Sequence, residues 1–451
     1  MDSLNKLPVA VIGAGPVGLA AAAHLLKRGL EPLIFEAGPA AGAAIEQWRH
    51  IRLFSPWRIN IDAASVRLLE AAGWEAPRPT ALPYGGDLID QYLAPLAALP
   101  VISPRLHTGA RVLAVTRAGL DKTHSRSREA APFIVRVEHA DGGTRDHTVA
   151  AVIDASGTWH TRNPLGTSGL PATGEDAAGT WISAPLPDVT GRDRASFAGR
   201  RVLVVGAGHS AANTLISLAG LAKEEPQTRI LWTVRGASAG KVLGGGDADG
   251  LPARGQLGSR LRRLVEAGTV ELHTGFGISS LTARAAQVRV AAVDGRTLDV
   301  DVVVPCTGFR PDLGILRELR LDLDPAVEAP RQLGPLIDPE FHSCGTVPPH
   351  GARLLAHPEQ DFYIVGTKSY GRAPTFLLAT GYEQVRSVVA ALAGDREAAD
   401  TLRLEFPGTG ACSTDAGTRG DDPAVPTAEP AEDSCCGTPE PVLVGLPNQA
   451  V

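Results

Sequence analysis

Two stretches of the chain carry the same order of apolar and small residues. VAVIGAGPVGLAAAAHLL (Val9–Leu26) and VLVVGAGHSAANTLISLA (Val202–Ala219) each open on a β-branched run, pass through glycines, and continue with apolar residues at helical spacing. That order predicts strand, tight turn and helix, the opening of a βαβ unit. A second apolar run follows each: LEPLIFEAG (Leu30–Gly38) and TRILWTVRG (Thr228–Gly236). Two such units in one chain predict parallel sheets flanked by helices.

Shorter strand patterns fill the intervals. RVLAVTRA (Arg111–Ala118) and PFIVRVEHA (Pro132–Ala140), with the turn at Asp141–Gly143, read as a small antiparallel meander. TVAAVIDASG (Thr148–Gly157) reads as a return to the parallel sheet. VRVAAVDG (Val288–Gly295) and DVDVVVPCTGF (Asp299–Phe309) repeat the plan after the second unit, and DFYIVGTKSYG (Asp361–Gly371) gives a last strand and loop. RAPTFLLATGYEQVRSVVAAL (Arg372–Leu392) has helix periodicity, with Pro374 near its start and Gly394 past its end. Beyond about Pro407 periodicity is lost and the composition reads as a disordered tail.

Composition narrows the function classes. The chain has 451 residues, a net charge of −6, and 44% hydrophobic residues. No global basic surface exists to hold nucleic acid. Leu7–Leu26 lacks Lys, Arg, Asp and Glu and has the length of a membrane span, about 20 residues. Its glycines and Pro16 instead fit a phosphate-binding turn, so no membrane partner is expected. Five cysteines in so long a chain are not a disulfide framework. With no signal-peptide pattern before the first apolar run, a reducing cytoplasm is the expected compartment.

The glycines carry the chemistry. Gly13, Gly15 and Gly18 form G-x-G-x-x-G between a predicted strand and helix. The first permits the turn, the second lets a pyrophosphate approach the backbone, and the third lets helix and strand pack closely. The helix N-terminus adds unpaired N–H groups and partial positive charge. Glu36 ends the next strand, where a carboxylate accepts ribose hydroxyls. Gly206 and Gly208 repeat the pattern, with Ser210 in the turn and Ala211 in the third position. No acid follows the second unit; Arg235 stands there instead. A guanidinium pairs with a 2′-phosphate that a carboxylate would repel, which favours NADPH and leaves NADH open. Two nucleotides in one chain suggest hydride transfer from a nicotinamide to a flavin.

GAGPVG with Glu36, DASGTW (Asp154–Trp159), GAGHSA and CTGFRPD (Cys306–Asp312) together resemble the two-dinucleotide-binding-domain flavoproteins, over about Val9–Leu392. The resemblance implies an α/β fold: two Rossmann-like, glutathione-reductase-type domains, the second inserted in the first, with small antiparallel β-meanders. The boundaries expected are 1–165 and 306–406 for the FAD domain, 166–305 for the NADPH domain, and 407–451 for the tail. It implies FAD at the first site and NADPH at the second, with Gly157, Asp312, Gly366 and Thr375 among the cofactor contacts. The late helix, starting near Pro374 and Thr375, would then aim N–H groups at the flavin. The Gly-Asp usual before it is Gly366-Thr367 here.

Thiol-reductase branches of this group carry C-x-x-x-x-C after the first unit or C-x-x-C in the second domain. Neither is present, and Cys306 and Cys344 stand singly. The segment Ala37–Asp62 resembles the flavin-containing monooxygenases, with Gly42 and Trp48 in comparable places. Trp48, Phe54 and Trp57 are the candidate walls excluding water from the flavin, with ordinary core aromatics as the alternative. Two departures stand out. Thr180–Arg201 lacks the His of the F-x-G-x-x-x-H fingerprint, and an Asn usual near the flavin is replaced around Ser55 and Pro56.

The narrowest resemblance is to flavin monooxygenases encoded with arsenic-resistance genes. It rests on Ile51–Arg58, Gly244–Gly258, Lys368–Ser387 and the cysteine tail. It implies a small-molecule substrate, arsenite or an organoarsenical, with Cys412, Cys435 and Cys436 as candidate metalloid ligands. Two alternatives stay open: a metalloid-binding or sensing flavoprotein, and an NADPH-dependent reductase of a quinone or disulfide. The oligomeric state is also open, with a homodimer as the candidate.

Overall fold

The structure is a computed structural model that describes residues 7–240, 252–340, 347–374 and 376–404. Fifteen strands in these residues form four sheets. β1 (Val9–Ile12), β2 (Pro32–Phe35), β3 (Leu106–His107), β7 (Ala151–Asp154) and β15 (Phe362–Ile364) make a parallel sheet in the order β15-β7-β1-β2-β3. β8 (Arg201–Val205), β9 (Arg229–Thr233), β10 (Glu271–His273) and β14 (Val302–Pro305) make a second, in the order β10-β9-β8-β14. Two antiparallel meanders complete the set. One is β4 (Ala110–Arg117), β5 (Phe133–His139) and β6 (Thr144–Val149). The other is β11 (Ile278–Ala283), β12 (Val288–Ala292) and β13 (Thr297–Val300).

Helix α1 (Pro16–Lys27) connects β1 to the strand beside it. After α2 (Ala63–Glu70), helix α3 (His209–Glu224) plays the same part between β8 and β9. α4 (Pro252–Glu266) and α5 (Leu378–Leu392) follow. Each parallel sheet is buried on both faces, and its strands show how. Val9 and Val11 face the core that holds Leu19 and Leu25 of α1 and Val385 and Val389 of α5. Ala10 and Ile12 face Val115, Phe133 and Val135 of the first meander. In β8, Val202 and Val204 meet Ala211 and Leu215 of α3, while Leu203 and Val205 meet Val288, Val290 and Val300 of the second meander. Strand alternation thus sends neighbouring residues into two different cores. Both lobes have helices on one face and a meander on the other.

Two sequence expectations needed revision. Thr148–Gly157 is not one strand. β6 ends the first meander at Val149, Ala150 donates its N–H to the Pro8 carbonyl at 2.9 Å, and β7 begins the parallel sheet at Ala151. A single residue switches the chain between sheets. Asp301 does the same between β13 and β14. Its N–H donates to the Arg201 carbonyl at 2.8 Å, and its carboxylate accepts from the Arg201 N–H at 2.7 Å. The late helix starts at Leu378 rather than near Pro374. Pro374 disfavours helical backbone at Ala373, and the Arg372 N–H is taken by the Val327 carbonyl at 2.7 Å. Leu7–Leu26 divides into β1 and α1, and no helix among the described residues is long and apolar enough to cross a membrane.

One buried ionic cluster joins the first meander to β15. The Glu359 carboxylate accepts from Arg117 Nε at 2.7 Å, from Arg128 Nη2 at 2.9 Å and from the Arg320 N–H at 3.0 Å. Arg117 also donates to the Ala131 and Gln360 carbonyls and lies 3.7 Å over the Phe133 ring. Burial alone would raise the Glu359 carboxyl, yet the hydrogen bonds from Arg128 and Arg117 hold it below its usual range. Its folded value lies below the unfolded one. The cluster therefore contributes fully at neutral pH and loses its contribution as pH falls through the folded value. Glu359→Gln leaves two guanidiniums without a counter-charge. We expect a loss of about 3–5 kcal/mol in denaturant unfolding at neutral pH, shrinking towards acid.

Candidate functional site

The first Gly-rich turn follows β1 directly. Gly13 has a φ of 99°, and a Cβ there would lie 2.8 Å from the Ala155 carbonyl oxygen. A Cβ on Gly18 would run into the Gly13 carbonyl. Gly15 caps α1 in extended conformation, with Pro16 in the first turn. A Cβ on Gly15 would meet nothing within 4 Å. The first and third glycines are therefore required by packing, whereas the second faces open space. That is the arrangement a pyrophosphate needs to reach backbone N–H groups. Glu36 stands beside it. Its carboxylate accepts from the Ala14 N–H at 2.7 Å and the Gly38 N–H at 2.8 Å, which ties the end of β2 to the turn.

The second turn repeats this. Gly206 has a φ of 129°, and a Cβ there would run into the Cys306 carbonyl. Gly208 caps α3 and, like Gly15, faces nothing within 4 Å. Ala211 is fully buried where helix meets strand, and Ser210 is half-buried in the first turn of α3. Arg235 is exposed just past β9, with a 3.4 Å bond to the Thr167 carbonyl. Motif reading missed Trp232. Its Nε1 donates to the Gly206 carbonyl at 2.7 Å and so fixes the turn from β9. The WTVRG strand offered it only as a core residue.

The three aromatics do not form one wall. Trp48 is half-buried, with its ring 6.5 Å from Trp159, which lies 4.9 Å from Phe309. Phe54 lies 5.1 Å from the ring of His209, the first residue of α3. Trp57 is 3% exposed and belongs to the core beneath α1 and α5. A bulky apolar side chain next to Pro56 reads the same in sequence whether it faces core or cavity. Asn60, five residues past Ser55, is buried. Its Nδ2 donates to the Ser55 carbonyl at 2.7 Å, and its side-chain oxygen accepts from Ser55 Oγ at 2.9 Å.

Gly157 has a φ of 71° just past β7. Gly366 has a φ of 68° past β15, and its N–H is held by Gln384 of α5 at 2.7 Å. Asp312 is exposed and accepts from the Gly314 N–H at 2.9 Å, a local turn. Thr375, Cys344, Cys412, Cys435 and Cys436 lie outside the described residues. Cys306 is buried, its thiol donates to the Pro185 carbonyl at 3.2 Å, and burial pushes it up to about 12. It is not poised as a nucleophile. A buried polar pair also missed in sequence is Lys368 and Asp154, joined at 2.7 Å.

Residues 11–66 match the family of NAD(P)-binding Rossmann-like domains. The ferredoxin–NADP reductase of Salinispora tropica is 27% identical over 71% of this chain and 80% of its own length. That of Salinispora arenicola is 28% identical over the same shares. Among solved structures, the bacillithiol disulfide reductase of Bacillus cereus covers 86% of this chain and 99% of its own, with a TM-score of 0.63 at 19% identity. The cadaverine monooxygenase of Erwinia amylovora, solved with FAD, covers 88% and 96% with a TM-score of 0.58 at 12% identity. Those likenesses to solved structures concern the fold.

The chain carries an NAD(P)-binding Rossmann-like domain at residues 11–66 and has the fold of these solved oxidoreductases. The contrast between its glycines gives a direct check on nucleotide binding at the second turn. Gly208→Ala should fold with unchanged melting temperature but lose nucleotide at the second turn. Gly206→Ala should lower the melting temperature as well, since strained backbone and a steric clash together cost at least about 1–3 kcal/mol. Differential scanning fluorimetry with and without NADP+ separates the two.

Proposed function

We propose that the chain is a flavoprotein that takes hydride from NADPH at the second turn and passes the electrons, through FAD at the first, to oxygen or another small acceptor in the manner of a flavin monooxygenase. The observation carrying this reading is the contrast between two strand ends. β2 closes on the carboxylate of Glu36, and β9 is followed by the exposed guanidinium of Arg235. A carboxylate accepts hydrogen bonds from ribose hydroxyls and repels a 2′-phosphate, whereas a guanidinium attracts that phosphate.

FAD, when bound, supplies hydride acceptance and onward electron delivery. The chain's own groups bind and orient. Gly15 opens the first turn to one pyrophosphate, with Gly13 and Gly18 letting strand, turn and helix close around it; Gly208 and Ser210 stand at the other, with Gly206 giving the same close turn. Gly157, Asp312, Gly366 and Thr375 are the further cofactor contacts we assign. Trp48 and Phe54 are the side chains we assign to keeping water from the reacting atoms.

An arsenic species, arsenite or an organoarsenical, is the substrate this reading favours. The support is the sequence likeness in Ile51–Arg58, Gly244–Gly258 and Lys368–Ser387, with Cys412, Cys435 and Cys436 as soft ligands for the metalloid. A second reading is an NADPH-dependent reductase of a protein, quinone or disulfide acceptor. It draws on the ferredoxin–NADP reductase relatives. Cys306, the single cysteine among the described residues, provides no dithiol for disulfide exchange.

Oxygen and NADPH consumption with and without arsenite or a methylated arsenical tests the first reading. Substrate-dependent turnover supports it. Turnover that needs no oxygen and follows ferredoxin, quinone or disulfide supports the second instead. Arg235→Ala should lower kcat/KM for NADPH by about 10–100-fold, the worth of a charge-assisted pair, and leave NADH within about twofold. Steady-state kinetics with both nucleotides reads this out.

A further inference from the structure

The chain buries a complete ion pair beside the first Gly-rich turn. Lys368 and Asp154 side chains are 1% and 0% exposed, and Nζ lies 2.7 Å from Asp154 Oδ2. Nζ also donates to Ser156 Oγ at 3.1 Å. Asp154 Oδ1 accepts from Ser156 Oγ at 2.7 Å and from the Ser156 N–H at 3.1 Å. Placing both charges out of water is costly, and a pair of apolar residues would serve packing alone at least as well. Stability therefore does not account for the pair, and its surroundings suggest what does.

Asp154 ends β7 and is in register with Ile12, the last residue of β1 before Gly13. The next residue, Ala155, has its carbonyl against Gly13. Lys368 belongs to the turn Gly366–Tyr370 after β15. That turn packs on the start of α1, since a Cβ on Gly366 would lie 3.3 Å from Val17. It is braced from α5, where Gln384 takes the Gly366 N–H at 2.7 Å and donates to Ser369 Oγ at 2.9 Å. The pair thus ties together the two segments lying against the turn that would hold a pyrophosphate. Of its members, only Asp154 carries the same sign as that phosphate group.

We propose that Lys368 is a positioning residue for FAD: by neutralising Asp154 at the end of β7 and clasping the turn Gly366–Tyr370 to it, it lets the doubly charged diphosphate settle on the first Gly-rich turn. This rests on the first turn being the FAD site. The claim concerns the sign of the charge as well as the brace. Removing the ammonium leaves a carboxylate under the diphosphate, and removing the carboxylate leaves an ammonium there. A merely structural pair would suffer alike from either loss.

The test uses the full chain, stripped of flavin and titrated with FAD while flavin fluorescence is followed. Lys368→Met should weaken FAD by at least about tenfold, the scale of an uncompensated buried charge. Asp154→Asn should bind FAD within about threefold of the unsubstituted chain or more tightly, and Asp154→Asn/Lys368→Met should return to within about fivefold. NADP+ affinity, read by calorimetry, should be the same in all four proteins. FAD binding to Lys368→Met with unchanged Kd overturns the proposal. So does equal weakening by Asp154→Asn and Lys368→Met, which would mark a brace without electrostatic consequence. Should Lys368→Met not fold, Asp154→Asn and the double variant decide: a loss of about tenfold or more in Asp154→Asn refutes the clasp. An unsubstituted chain that leaves FAD fluorescence unquenched would instead remove the cofactor reading itself.

Discussion

The closeness with which each Gly-rich turn lies against the backbone beside it governs everything else. At Gly18 a methyl group would collide with the Gly13 carbonyl, and at Gly206 one would collide with the backbone of Cys306. Only chains with almost no side chain at these points can bring helix N-termini so near the carboxyl ends of parallel strands. Once they do, unpaired N–H groups and the positive end of the helix converge on space that Gly15 and Gly208 leave open. The two lobes solve the same problem with the same materials, down to the three-stranded meander on the far face of each sheet.

The buried charges divide into two kinds. Glu359 sits among Arg117, Arg128 and the Arg320 backbone, far along the sheet from the Gly-rich turn, and fixes where the first meander meets β15. Lys368 and Asp154 lie at the opposite, carboxyl end of β7, where nucleotide chemistry is expected. Both clusters satisfy their hydrogen-bonding capacity well. Their chemistry is similar, and their location on the strands tells them apart.

What could be read in the sequence was local. Gly13, Gly15, Gly18 and Glu36 lie within a single βαβ unit, so spacing alone located them, and the same held for Gly206, Gly208 and Arg235. What could not be read spans the chain. Lys368 meets Asp154 across 214 positions, and Arg117 meets Glu359 across 242. Neither partner has a pattern that announces the other. Single residues that move the chain from one sheet to another, Ala150 and Asp301, were equally invisible, because the apolar run continues through them. Trp57 shows a further limit: an aromatic near a cofactor motif has the same appearance in sequence whether it faces a cavity or the core. The start of α5 was misjudged because Pro374 serves as well in a turn as at a helix beginning.

On the proposed reading, the protein holds two dinucleotides whose electrons meet. The most direct test is an anaerobic titration of the purified full chain with reduced nicotinamide nucleotides, followed by visible absorbance. The account predicts a yellow protein whose flavin band bleaches with NADPH at far lower concentration than with NADH. A colourless protein that gains no band on adding FAD, or a flavin band that neither nucleotide bleaches, would contradict it.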